Sequence, residues 1–282
     1  MTPPILDTHQ HLILDRWPYS WTDDIPALKG KTFGPDAYAA ASAGTGITHT
    51  VFMETSPDDP HWREEITTVY AMAEDPASPI TGVITNCRPE HEGFESFLEE
   101  TAHPRRVGLR RILHTAPDDL SRSERFRENV RLAGRRGLTF DMCFFERQLP
   151  IALELARACP DVRLILDHCG VPDIRSGKMD PWRGYIRDLA ALPNVHCKVS
   201  GVLAYCDPAH AGIEAVRPYV EHVIECFGWE RVVWGSDWPV VTITSTLRDW
   251  VEVSRAIVAG EDPANQRKLF FDNAVRIYGV KL

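Results

Sequence analysis

The chain has 282 residues, 44% of them apolar and 25% charged, the balance of a folded globular protein rather than a disordered or fibrous one. A formal charge of −9 with no basic patch argues against a nucleic-acid surface, which needs cations facing phosphate. No uncharged apolar run is long enough to span a bilayer, and Met1-Thr2-Pro3-Pro4 leads directly into a strand-like run without a basic, apolar leader; the expected address is cytoplasmic, with no membrane partner.

The first predicted strand is Ile5 to Leu12. It carries His9 and His11 two places apart, so both imidazoles leave the same face of a strand. The long loop Asp15 to Phe33 holds Trp17, Tyr19 and Trp21, which suit either a plug of the barrel or an aromatic rim over a substrate. A helix over Pro35 to Ala43 leads to a second strand, Ile47 to Met53, with Glu54 at its end. Helices His61 to Ala73 and Glu92 to Thr101 flank the third strand, Ile80 to Asn86.

The fourth strand, Val107 to Leu113, carries Arg110 and Arg111, and alternation sends one inward and the other outward; His114 follows at its end. A helix over Ser123 to Arg136 has a capping-box pair in Ser121 and Glu124 and a stop at Gly137. The fifth strand is Leu138 to Cys143, followed by a helix over Gln148 to Ala158. Pro160-Asp161 separates that helix from the sixth strand, Val162 to Asp167, after which comes His168. A helix over Trp182 to Ala191 and Pro193-Asn194 precede the seventh strand, Val195 to Val199. Helix Ile213 to Phe227, the eighth strand Val232 to Gly235, and helix Thr246 to Val258 complete the alternation; Asp237 stands just past the eighth strand. The amphipathic segment Pro263 to Tyr278 is expected to pack outside as an additional helix that closes the fold.

Eight strand-like runs alternating with eight helices predict an α/β fold, a parallel eight-stranded (β/α)8 TIM barrel with an additional C-terminal helix, as one domain over residues 1–282. In such a barrel the loops at the carboxyl ends of the strands build the active site. His9 and His11 at the first strand, His168 at the sixth and Asp237 at the eighth therefore face one cavity. The seven cysteines are scattered, with no CxxC pair, and read as reduced, buried thiols. No glycine-rich phosphate loop and no Gly-x-Ser-x-Gly elbow is present.

His9-Gln10-His11, Asp167-His168-Cys169-Gly170, Gly235-Ser236-Asp237-Trp238-Pro239 and the late segment Asp272 to Tyr278 together resemble the amidohydrolase superfamily. The resemblance covers nearly the whole chain and is closest to the amidohydrolase-2 branch, within it to lactonases acting on sugar lactones and on pyrone dicarboxylate lactone. It implies that His9 and His11 are metal ligands, that Asp237 is both a ligand and the general base, and that His168 binds substrate or metal. Neutral imidazoles and a carboxylate do suit a zinc-like divalent ion with an open position for water.

One departure stands out. Metal-binding members usually carry a further histidine or lysine at the end of the fifth strand, and the run Leu138 to Glu146 has neither. Either Cys143, Asp141 or Glu146 substitutes as a ligand, or the site works without metal and the same residues orient water by hydrogen bonds. Arg110 matches the branch's glycine-x-arginine pattern and is expected to clamp a carboxylate or polarise a lactone carbonyl, or else to pair with Asp141 or Glu54. Glu54 is expected to accept a sugar hydroxyl or to neutralise an arginine, and His114 to touch substrate at the rim. Lys198 resembles a structural lysine of the family's seventh strand.

The leading expectation is a hydrolase that opens a small lactone, derived from a sugar acid, by direct attack of water activated by Asp237. Rivals are a metal-dependent decarboxylase of a small unsaturated or aromatic acid, a lactone isomerase, and a catalytically silent barrel that binds a metabolite. The silent barrel would predict erosion of a strand-end group, yet His9, His11, His168 and Asp237 are all intact.

Overall fold

The computed structural model describes residues 3–282. Its eight strands are β1 (Ile5–Gln10), β2 (Ile47–Met53), β3 (Ile80–Asn86), β4 (Arg106–Ile112), β5 (Thr139–Cys143), β6 (Leu164–Leu166), β7 (Val195–Val199) and β8 (Val232–Trp234). They form one parallel sheet in sequence order, each strand paired with the next. The seam between β8 and β1 closes just past the strands. There the Asp237 N–H donates to the His9 carbonyl at 2.8 Å, the His11 N–H donates to the Trp238 carbonyl at 2.8 Å, and the Thr8 hydroxyl donates to the Trp234 carbonyl at 2.7 Å. The expected (β/α)8 barrel is therefore what the chain builds.

Helices α1 (Pro35–Ser42), α2 (Trp62–Glu74), α3 (Phe94–Glu100), α4 (Glu124–Arg135), α5 (Leu149–Ala158), α6 (Trp182–Ala190), α7 (Ile213–Phe227) and α8 (Leu247–Ile257) follow the strands in turn. Strand residues facing these helices, such as Phe52, Phe140, Leu164 and Trp234, pack into the large layer between barrel and helix ring. Inward residues Leu6, Val51, Met53, Ile84, Ile165 and Val233 make a separate inner core. Each is fully buried, which removes enough apolar surface from water to be worth about 1.5–3 kcal/mol per large side chain.

Two local expectations are corrected. The cap of α4 is Ser123, whose Oγ accepts from the Phe126 N–H at 3.3 Å, because Leu120–Arg122 forms a 3₁₀ turn that takes Ser121 out of the capping position. The last segment divides into α9 (Pro263–Arg267), a π-helical turn (Lys268–Asp272) and α10 (Asn273–Tyr278). Rather than lying only on the outside, it packs Phe271, Ala274, Ile277 and Tyr278 against the inner core. The Tyr278 hydroxyl reaches Asp141 inside the barrel, donating at 3.0 Å.

Candidate active site

A β-bulge in β1 lies between Asp7 and Gln10, and His11 follows directly after the strand. The irregularity turns Asp7 outward onto Tyr38 of α1 while His9 points inward. Both His9 and His11 are almost wholly buried, with their Nε2 atoms 3.1 Å apart. The Nδ1 of His11 is held by the carbonyls of Met53 and Glu54, each at 3.0 Å, so that its Nε2 is aimed into the cavity.

The sixth strand is Leu164–Leu166 rather than Val162 to Asp167 and the eighth is Val232–Trp234 rather than Val232 to Gly235, and past each of them the chain turns sharply at its polar residues. His168 and Asp237 both hold positive φ, 55° and 57°, a region that costs an L-residue about 1–2 kcal/mol and is found where a site requires a particular aim. These turns bring His168 Nδ1 to 3.8 Å from Asp237 Oδ2 and to 3.0 Å from Ser200 Oγ. Gly201 makes the close approach possible: a Cβ there would stand 2.4 Å from Asp237 Oδ2 and 2.7 Å from His168 Nδ1.

Asp237 Oδ1 lies 3.4 Å from His11 Nε2 and 3.6 Å from His9 Nε2. With the 3.1 Å between the imidazoles, this is a triangle of three donors. In a tetrahedral zinc site with bonds of about 2.1 Å, neighbouring donors stand about 3.4 Å apart, so the triangle fits such an ion. The orphaned atoms agree: Asp237 Oδ2, Asp141 Oδ2 and both Asp167 oxygens are buried without a well-formed hydrogen bond.

Charge points the same way. Burial lowers the pKa of His9 and His168, takes His11 to about 3, and leaves all of these imidazoles neutral near pH 7. Around them stand four buried carboxylates, Glu54, Asp141, Asp167 and Asp237, against two buried cations, Arg110 and Lys198. Burial raises Asp237 to about 6, although His168 and Arg110 pull it down, and raises Asp141 to about 7 despite Lys198. A site with more buried negative charge than positive is suited to one divalent cation.

The remaining predicted residues fall as follows. Arg110 points inward and Arg111 pairs with Glu90. Arg110 Nε donates to Glu54 Oε1 at 2.7 Å and a terminal nitrogen donates to the Glu54 carbonyl at 2.8 Å, while the other faces His9 Nε2 at 3.3 Å. Glu54 Oε2 accepts from the Asn86 amide at 3.0 Å, so both carboxylate oxygens are engaged within the protein. The pairing of Arg110 with Glu54 left open above is thus present. His114 lies at the rim with its Nδ1 3.1 Å from Cys143 Sγ and its ring against Phe145; burial lowers it to about 4. Glu146 is turned away, accepting from the Asp173 N–H.

Sequence reasoning underrated Lys198. Its ammonium, wholly buried, is 2.6 Å from Asp141 Oδ1, 3.1 Å from Asp167 Oδ1 and 3.2 Å from His9 Nδ1. Burial alone would raise the Asp167 carboxyl, but Lys198 and His9 hold it well below the usual range. Lys198 thus supplies, from the seventh strand, a cation beside Asp141, where the fifth strand offers neither histidine nor lysine. Cys143 Sγ lies in the same cluster, within 4.8 Å of donor atoms of Asp167 and His168. Tyr205 was missed as well; its ring is edge-on to His168, with centroids 6.2 Å apart.

Polar groups converging on the carboxyl rim of an eight-stranded parallel barrel define an enzyme-type site of the (β/α)8 class. The model of the amidohydrolase family matches residues 6–280, and the chain belongs to that family. An L-fucono-1,5-lactonase of Burkholderia ambifaria is 29% identical, with 98% of this chain and 95% of that protein covered. Among solved structures, an amidohydrolase of Burkholderia multivorans with bound zinc has a TM-score of 0.90 at 23% identity, covering 99% of this chain and all (100%) of that one. A putative 2-pyrone-4,6-dicarboxylic acid hydrolase of Pseudomonas putida has a TM-score of 0.77 at 21% identity, with both chains covered in full (100%). Among the described residues no helix is long and apolar enough to cross a membrane.

Proposed function

We propose that the protein is a single-domain hydrolase that opens a small lactone, derived from a sugar acid, by direct attack of water. The observation that carries this reading is the triangle of His9 Nε2, His11 Nε2 and Asp237 Oδ1, with the second oxygen of Asp237 left without a partner. The lactonase named among its relatives supports the substrate class.

His9, His11 and Asp237 would hold a zinc-like ion, which supplies Lewis acidity and lowers the pKa of a bound water. The chain's own residues do the following. Asp237, as its carboxylate, takes a proton from the attacking water as the water oxygen bonds to the carbonyl carbon. His168, tied to Ser200 through Nδ1, directs its other ring nitrogen at the carbonyl oxygen. Arg110, whose terminal nitrogen faces His9 Nε2 at 3.3 Å, adds fixed positive charge in a water-poor cavity, where it acts most strongly on the developing oxyanion. The bond from the carbonyl carbon to the ring oxygen then breaks, and Asp237 returns its proton to that oxygen. The product is a hydroxy acid, which releases one proton at neutral pH.

A panel of sugar-acid lactones followed with a pH indicator in ¹⁸O-water tests the proposal. Proton release with one ¹⁸O in the product carboxylate is expected. Rearrangement without ¹⁸O would make the protein an isomerase, and carbon dioxide release from an acid substrate would make it a decarboxylase.

A further inference from the structure

The loop that leaves β7 supports the site at several points. Ser200 Oγ holds His168 Nδ1 at 3.0 Å, and Gly201, with φ of 66°, lies against both Asp237 and His168. A 3₁₀ turn, Val202–Tyr205, follows at once. Val202 and Leu203 are wholly buried, and the Ala204 and Cys206 N–H groups donate to the carbonyls of Gly201 and Leu203, each at 3.0 Å. From the loop after β8, the Thr244 hydroxyl donates to the same Leu203 carbonyl at 2.7 Å. The turn is thus fixed from within and by its neighbour. It sets the Tyr205 ring edge-on to the His168 imidazole, with centroids 6.2 Å apart and planes at 78°.

The charged donors of the site are already engaged. Lys198 meets Asp141, Asp167 and His9, and Arg110 meets Glu54 and His9. The Tyr205 hydroxyl differs: it has no hydrogen-bond partner among the described residues. The residue is half-buried, and its oxygen is not one of the orphaned polar atoms sealed from solvent. Burial, and after it the Asp237 carboxylate, hold the phenol well above its usual range, so it is an O–H donor at any working pH. A developing oxyanion is stabilised by donors fixed in advance. Neutral His168 offers one N–H, which stands on Nε2 when the Ser200 hydroxyl donates to Nδ1.

We propose that the Tyr205 hydroxyl is a second donor to the lactone carbonyl oxygen, beside His168 Nε2, so that two neutral hydrogen bonds hold the oxyanion formed when water adds. The assignment rests on reading the site as a lactone hydrolase. Tyr205 forms no covalent bond and keeps its proton throughout.

The probe is whichever sugar-acid lactone the parent opens fastest, with Tyr205→Phe as the first variant. Loss of one oxyanion donor lowers kcat about 100-fold, and KM should stay within about threefold because the bond strengthens only in the transition state. Tyr205→3-fluorotyrosine restores a phenol of nearly the same size and is expected to keep kcat within about threefold of the parent. Calorimetry should find both variants folding cooperatively. A kcat within about twofold of the parent in Tyr205→Phe, a rise in KM at unchanged kcat, or a fluorotyrosine protein as impaired as Tyr205→Phe would each overturn the proposal while lactone hydrolysis stands. A parent that opens no lactone would overturn the hydrolase reading, and this assignment with it.

Discussion

Replacing Lys198 by methionine keeps most of the length of the side chain and deletes a cation that lies 2.6 Å from Asp141 and 3.1 Å from Asp167, with all three groups wholly buried. Asp167 keeps His9 Nδ1 at 3.5 Å and Arg110 at 3.7 Å, and Asp141 keeps the Tyr278 hydroxyl. Removing one partner of a buried ion pair costs about 3–5 kcal/mol, because the remaining charge is left without compensation. A chain of 282 residues has a melting entropy of about 0.6 kcal/mol/K, so the metal-free variant should melt about 5–8 °C lower near pH 8. The deficit should depend on pH. Burial already holds Asp141 near 7, and without the ammonium its folded-state pKa rises further above the unfolded value of about 3.9. A carboxylate raised in this way is better tolerated when protonated, so the loss is full above the folded pKa and shrinks as the pH falls toward 5. Differential scanning calorimetry across this range, with Lys198→Met/Asp141→Asn as a second variant, reads the effect. A melting point within about 2 °C of the parent, or a deficit that grows on acidification, would show that Lys198 does not compensate these buried carboxylates.

Three further outcomes follow from the same geometry. Because burial raises the Asp237 carboxyl of the metal-free protein to about 6 and a cation is held by the ionised form, zinc affinity should rise with pH and level off above about 6; affinity independent of pH between 4.5 and 8 would contradict the ligand role of Asp237. Inductively coupled plasma analysis should find one equivalent of zinc in the parent protein and less than a tenth in His11→Ala, whereas retention by the variant would remove the triangle as the binding site. Gly201→Ala would place a methyl group 2.4 Å from Asp237 Oδ2 at a residue with φ of 66°. We expect kcat to fall about 100-fold with a fold that remains cooperative by calorimetry, and activity within about twofold of the parent would show that the aim of Asp237 is not set there.

Much of this arrangement is legible in the chain. Strands β2, β3 and β7 and helix α7 begin and end where apolar patterning and the flanking glycines and prolines indicate. The strand-end residues His9, His11, His168 and Asp237 converge as barrel geometry requires. Periodicity does not report the positive-φ turns at His168 and Asp237, which lie just past β6 and β8 and set the aim of both side chains. The charge network behind the histidines was harder to read. Asp141 within Thr139–Cys143 and Lys198 within Val195–Val199 are charges inside apolar strands, a visible signal of inward partners. Their partnership depends on the order β5, β6, β7 around the barrel, and Tyr278 joins Asp141 from 137 residues away, a relation no local pattern encodes.

On the proposed reading, Asp237, in one pocket with three imidazoles, activates the water that opens a lactone. Steady-state turnover by Asp237→Asn measures this most directly, since the amide is nearly isosteric and cannot take a proton. We expect kcat/KM to fall by about 10²–10⁴ in a protein that still unfolds cooperatively. Turnover equal to that of the parent on the same lactone would contradict it.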